Sequence, residues 1–107
     1  MKPKNRIVAA LQMGYHPDGT AQTVEQILVH EAQIKQSGCD LLVLPEALLG
    51  GYPKGADFGA KVGFRTPQGR EDFLQYWEQS VELDGPEIQA LCQLAKNCNT
   101  AIVVGVI

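Results

Sequence analysis

The sequence is short of most residues and patterns that announce a chemistry. It has three cysteines, Cys39, Cys92 and Cys98, and no Cys-x-x-Cys pair. An odd number without that spacing excludes a disulfide framework and a zinc knuckle, and leaves buried or half-buried thiols in a reducing compartment. Its two histidines, His16 in a Pro-Asp-Gly turn and His30 on a helix, have no second histidine at metal-ligand spacing, so no metal site is expected. No Gly-x-Ser-x-Gly elbow is present. The glycines of Gly50-Gly-Tyr-Pro-Lys-Gly55 fit neither phosphate-binding pattern, and Tyr52 and Pro53 stand where such a loop needs a flexible backbone.

Length and charge narrow the field further. With 107 residues the chain has material for one small domain, and its 45% apolar content is that of a globular protein. The net charge is −3 with scattered basic residues, which argues against a nucleic-acid partner. No apolar run approaches a membrane span, and the segment Ile7 to Gln12 after the basic start is too brief for a signal peptide. A cytoplasmic location without membrane partners is the expectation.

The most informative stretch is Asp40 to Gly55. Four apolar residues, Leu41 to Leu44, run into Pro45, then Glu46, then apolar and glycine residues as far as Pro53. Such a run between breakers predicts a buried strand, and the strand end in an open parallel sheet is where ligands bind. From position alone Glu46 has two readings. It can be a general base whose pKa is raised by apolar surroundings, or a structural acid paired with Lys54 or Arg65.

The rest of the chain frames that stretch. Arg6 to Gln12 predicts a strand. A helix is expected from an N-cap at Thr20 to Ser37, with Gly38 as its stop and Ala21, Val24, Ile27, Leu28 and Ala32 as its buried stripe. Strand, helix and strand in succession imply adjacent parallel strands. The glycine-rich span from Ala47 to Thr66 is a long loop, of the kind that is often functional. A second helix is expected from Pro67 or Gln68 to Glu82 with Phe73, Leu74, Trp77 and Val81 on its apolar side. A third follows the start signal Asp84-Gly-Pro-Glu87 and closes at Asn97 to Asn99. Thr100 to Ile107 predicts a third buried strand. The class is α/β in the order βαβ-α-α-β. Because the sequence stops inside its most apolar strand, residues 1–107 are expected to be an incomplete, N-terminal part of a longer domain.

The residues Leu41-Leu-Val-Leu-Pro-Glu-Ala-Leu-Leu-Gly-Gly-Tyr-Pro53 resemble the first signature of the nitrilase, or carbon–nitrogen hydrolase, superfamily. Ile7 to Gln12 resembles its opening strand and Ala21 to Glu25 its first helix. Gly59 to Arg70, with Phe73, Tyr76 and Asp84-Gly-Pro86, resembles the nitrilase branch. The resemblance implies an α-β-β-α sandwich and a Glu-Lys-Cys catalytic set that works without a cofactor. A cysteine thiolate attacks the nitrile carbon to give a thioimidate, a lysine stabilises the tetrahedral species, and a glutamate serves as general base for thiol and water. The products are a carboxylic acid and ammonia.

Only Glu46 carries over to a position of this sequence. Lys54 stands in the wrong motif for the lysine, and Cys39, Cys92 and Cys98 do not match the nucleophile's elbow, so the lysine and cysteine are expected outside the 107 residues. Tyr52 and Pro53, within a loop from Gly51 to Phe58 that borders the pocket, are the candidate substrate contacts. The implied partners are a small-molecule nitrile and, at full length, further copies of the same chain. A non-catalytic remnant dependent on a partner, or an amidase or carbamoylase relative, are the alternatives.

Overall fold

The computed structural model describes residues 5–51 and 66–107. Three short parallel strands, β1 (Val8–Ala10), β2 (Leu41–Val43) and β3 (Ala101–Val103), form a sheet in the order β1-β2-β3. Val8, Leu41 and Ala101 lie in one register row; Ala9, Leu42 and Ile102 in the next; Ala10, Val43 and Val103 in the third. Helices α1 (Thr20–Val29) and α2 (Glu31–Ser37) connect β1 to β2, and α3 (Pro67–Glu78) and α4 (Pro86–Cys98) precede β3. The α/β class and the expected parallel βαβ unit are both present.

Helices α1, α2 and α4 cover one face of the sheet. Leu42 from the middle row packs with Val24, Ile27, Leu91 and Leu94, and Ala9 and Ile102 lie against that core. Residues of the outer rows point the other way: Val8 is 62% exposed, Val43 37% and Val103 54%. The third strand was expected to be buried; only one face of it is, because the described residues supply helices to one side alone. Parallel sheets are ordinarily covered on both faces.

The first helix departs from its expected form in two ways. It divides at His30, whose amide donates to Ile27 O at 3.0 Å in a tightened turn before α2 begins. Its buried stripe is as expected at Val24 and Ile27, with Leu28 packed against the core, and departs from expectation at its two ends. Thr20, Thr23, Val24, Ile27 and then Ile34 face the core, while Ala21 and Ala32 are exposed. Two threonines can occupy the inner face because their hydroxyls are satisfied there. Thr23 donates to Gly19 O at 2.8 Å and accepts from His16 N at 3.0 Å. Gly19, not Thr20, is the N-cap, and the cap's hydrogen bond comes from far along the chain. Gln79 Oε1 accepts from Thr20 N at 2.9 Å, and the Thr20 hydroxyl donates to the Gln79 carbonyl. Gly38 does end α2 in the left-handed conformation, with φ 64°.

The second predicted helix, α3, starts as the sequence indicates. Thr66 Oγ1 accepts from Gly69 N at 3.0 Å, and Pro67 takes the first helical position. It stops at Glu78 rather than Glu82, and Phe73, Leu74 and Trp77 on its predicted apolar side are 50%, 45% and 65% exposed. Val81 leaves the helix and packs on the core instead, its amide donating to Ile107 O at 2.9 Å. Helix α4 begins at Pro86 after Gly85 and ends on Asn99 at φ 50°, as read.

Candidate active site

Glu46 lies where β2 leaves the sheet, and the parallel ladder shows how it is presented. Leu44 N donates to Val103 O at 2.8 Å and Gly105 N to Pro45 O at 3.2 Å, so pairing with the third strand continues to Pro45. It resumes when Leu49 N donates to Gly105 O at 3.1 Å and Ile107 N to Leu49 O at 2.8 Å. Leu49 and Val106 form an isolated parallel bridge. Glu46, Ala47 and Leu48 are therefore a three-residue excursion from an otherwise continuous ladder. Such interruptions re-aim a side chain.

The excursion is held tightly. Ala47, Leu48, Leu49, Gly50 and Gly51 are all buried, and Glu46 is the one exposed residue between Leu44 and Gly51. Ala47 adopts φ 49°, a left-handed conformation that costs a residue with a Cβ about 1–2 kcal/mol. Gly51 N donates to Ala47 O at 3.1 Å and closes the turn. Gly50 and Gly51 follow at φ 105° and 82°, where glycine avoids that penalty. Beneath Gly51 lies the ring of Tyr15, close enough that a Cβ there would stand 2.9 Å from Tyr15 Cδ1. The Tyr15 hydroxyl in turn donates to Gln79 Oε1 at 3.3 Å.

The apolar enclosure expected around the Glu46 carboxylate is not built by the described residues, because their apolar side chains pack beneath the excursion and Glu46 faces solvent. Lys54 and Arg65, weighed as its ionic partners, lie outside the described residues, as do the pocket candidates Tyr52 and Pro53. Among the described residues no group of three metal-ligating side chains could hold an ion. No described helix is long and apolar enough to cross a membrane.

The cysteines stand apart from this site. Cys39 precedes β2 and Cys98 precedes β3, so both lie at the amino-terminal end of the parallel strands, opposite to Glu46. Extended chain rises about 3.3 Å per residue, which separates Cys39 from Glu46 by roughly 20 Å. Both are buried; Cys39 Sγ contacts Thr100 Oγ1 at 3.5 Å, and Cys98 Sγ approaches Glu31 O at 3.7 Å. Burial raises the Cys98 thiol's pKa, the Glu31 carboxylate adds to this, Lys35 opposes it and Cys39 contributes a smaller upward push. Cys92 is exposed, contrary to the expectation of a buried or half-buried thiol, because it sits off the Leu91–Leu94–Cys98 stripe of α4. Alkylation at mildly alkaline pH followed by peptide mapping is therefore expected to label Cys92 first and Cys39 and Cys98 late. Equal labelling of Cys98 would contradict this placement.

What sequence reasoning missed at the site is its support. The left-handed Ala47, the resumed pairing at Leu49, the close approach of Gly105 and the Tyr15 ring under Gly51 were not read from the sequence. Only the glycine pair at 50–51 hinted at a close backbone approach.

Comparison with known proteins agrees with the signature around Glu46. The sequence profile of the carbon–nitrogen hydrolase family matches residues 7–107. A nitrilase of Bradyrhizobium diazoefficiens is 36% identical over 106 residues, covering 99% of this chain and 33% of that protein. A bifunctional nitrilase/nitrile hydratase of Lupinus angustifolius is 37% identical over 101 residues, covering 94% of this chain and 28% of its own length. An arylacetonitrilase of Trametes versicolor is 36% identical over 104 residues, 97% of this chain and 32% of the relative. The chain thus spans about a third of the length of these relatives. With its matching profile, its α/β core and its Leu-Pro-Glu strand end, the chain belongs to the carbon–nitrogen hydrolase family.

Proposed function

We propose that residues 1–107 are the N-terminal third of a nitrilase-type hydrolase, which converts a nitrile and two waters to a carboxylic acid and ammonia. Glu46 is the general base, taking a proton first from the attacking thiol and then from water. The lysine and the nucleophilic cysteine come from sequence beyond residue 107. The observation that carries this reading is the presentation of Glu46. It is the single exposed residue of a buried, partly strained turn at the carboxyl end of a parallel strand. Backbone strain of that kind gathers at functional sites.

Several further parts of the reading follow from the same family resemblance. Tyr52 and Pro53 border the substrate pocket, and no cofactor takes part. The open sheet face around Val8, Val43 and Val103 is the inner face of an α-β-β-α sandwich whose other sheet lies further along the chain. The full-length protein is cytoplasmic and self-associates.

The reaction class is tested by offering the full-length protein a nitrile, the corresponding amide and a carbamoyl compound, and measuring acid, amide and ammonia. The nitrile is expected to give acid and ammonia as main products. Turnover of the amide or carbamoyl compound alone would move the assignment to the amidase or carbamoylase relatives. Amide as main product would make it a hydratase, the second activity in the lupin relative's name.

A further inference from the structure

We infer that Gly105 is a positioning residue for Glu46: its missing side chain leaves the space in which the Glu46–Ala47 backbone sits, and so fixes where the carboxylate stands. The inference rests on the reading of Glu46 as the base. A Cβ placed on Gly105 would lie 2.3 Å from Ala47 N, 2.7 Å from Glu46 Cα and 2.8 Å from Glu46 C. All three are main-chain atoms, so no rotamer change relieves the overlap; the turn itself must move.

Conformation does not demand this glycine. Gly19, Gly38, Gly50 and Gly51 have positive φ, and Gly105 does not. Alanine could adopt its backbone angles but not occupy its surroundings. Gly105 also bonds to both sides of the excursion: its amide donates to Pro45 O at 3.2 Å just before Glu46, and its carbonyl accepts from Leu49 N at 3.1 Å just after. One residue therefore holds both ends of the turn and leaves room beneath its middle. A displacement caused there is delivered first to Glu46 and Ala47.

The test compares Gly105→Ala with Gly14→Ala in the full-length protein, since Gly14 is exposed with nothing within 4 Å of a Cβ. Gly105→Ala is expected to lower kcat on the order of 100-fold while KM stays within about twofold, as an ångström-scale misplacement of a reacting group can do. The loss should exceed any fall in the folded fraction, measured by circular dichroism on the same preparation. Gly14→Ala should match the unmodified protein. If Gly105→Ala does not fold, the same readings are taken on Ala47→Gly/Gly105→Ala, in which the turn can yield without collapsing the ladder. A kcat unchanged from the unmodified protein, or one lowered only in proportion to the folded fraction, would overturn the inference. The second result would mean that Gly105 only maintains the amount of folded enzyme. Glu46→Gln separates the two levels. If that variant keeps full turnover, the reading of Glu46 itself fails. If it is inactive and Gly105→Ala is not, only the role of Gly105 fails.

Discussion

If Glu46 is the general base proposed above, Glu46→Gln in the full-length protein is expected to lower kcat for nitrile hydrolysis by roughly 100- to 10,000-fold, the range for loss of such a group. Thermal stability is expected to stay nearly unchanged. The two halves of this expectation come from different observations. The loss of turnover follows from chemistry: glutamine keeps the shape and hydrogen-bonding reach of glutamate but cannot take a proton from a thiol or from water. The intact stability follows from placement. Glu46 is exposed and has no ion pair among the described residues, so an isosteric change there falls in the class of surface substitutions worth about half a kcal/mol or less. A purely structural acid would reverse the pattern, with stability falling and activity following the folded fraction. Melting temperature and steady-state kinetics on the same preparation distinguish these outcomes.

The reason Glu46 could be picked out before its surroundings were known is local. An apolar run ended by Pro45 marks a strand end, and the first polar residue after it stands at the binding edge of a parallel sheet. The βαβ unit was legible for a similar reason, since Ile7 to Gln12 and Leu41 to Leu44 flank a helical pattern of crossover length. What was not legible depends on partners distant in sequence. Thr20 and Thr23 look like surface or capping residues until Gln79, His16 and the Gly19 carbonyl are seen to satisfy them. On that account the stripe of α1 was read correctly at Val24, Ile27 and Leu28, while the two buried threonines were missed. The exposure of Phe73, Leu74 and Trp77 shows the converse: apolar spacing predicts which side of α3 could be buried, not whether the described residues supply something to bury it. The excursion at Glu46 to Leu48 belongs to the first kind. Nothing local to it announces that Leu49 resumes pairing with the chain at Gly105.

The second large effect is a complete one. The 107-residue chain alone is expected to release no ammonia from a nitrile, although it carries the proposed base. A general base accelerates a reaction only through the nucleophile it serves, and groups that act as a unit lose nearly all their effect when one is missing. The three cysteines cannot substitute. Cys39 and Cys98 are buried at the opposite end of the strands, and burial raises the Cys98 thiol's pKa away from the reactive thiolate. Cys92 is exposed, but on α4, where it lines an apolar groove with Ile88, Leu91, Ala95, Ile102 and Val104 rather than meeting Glu46.

The most direct test of the account is therefore ammonia release from one nitrile, measured side by side for the purified 107-residue chain and the full-length protein. The account predicts release by the full-length protein and none above background by the chain. Ammonia formed by the chain alone would contradict it, because a nucleophile would then have to lie within these residues.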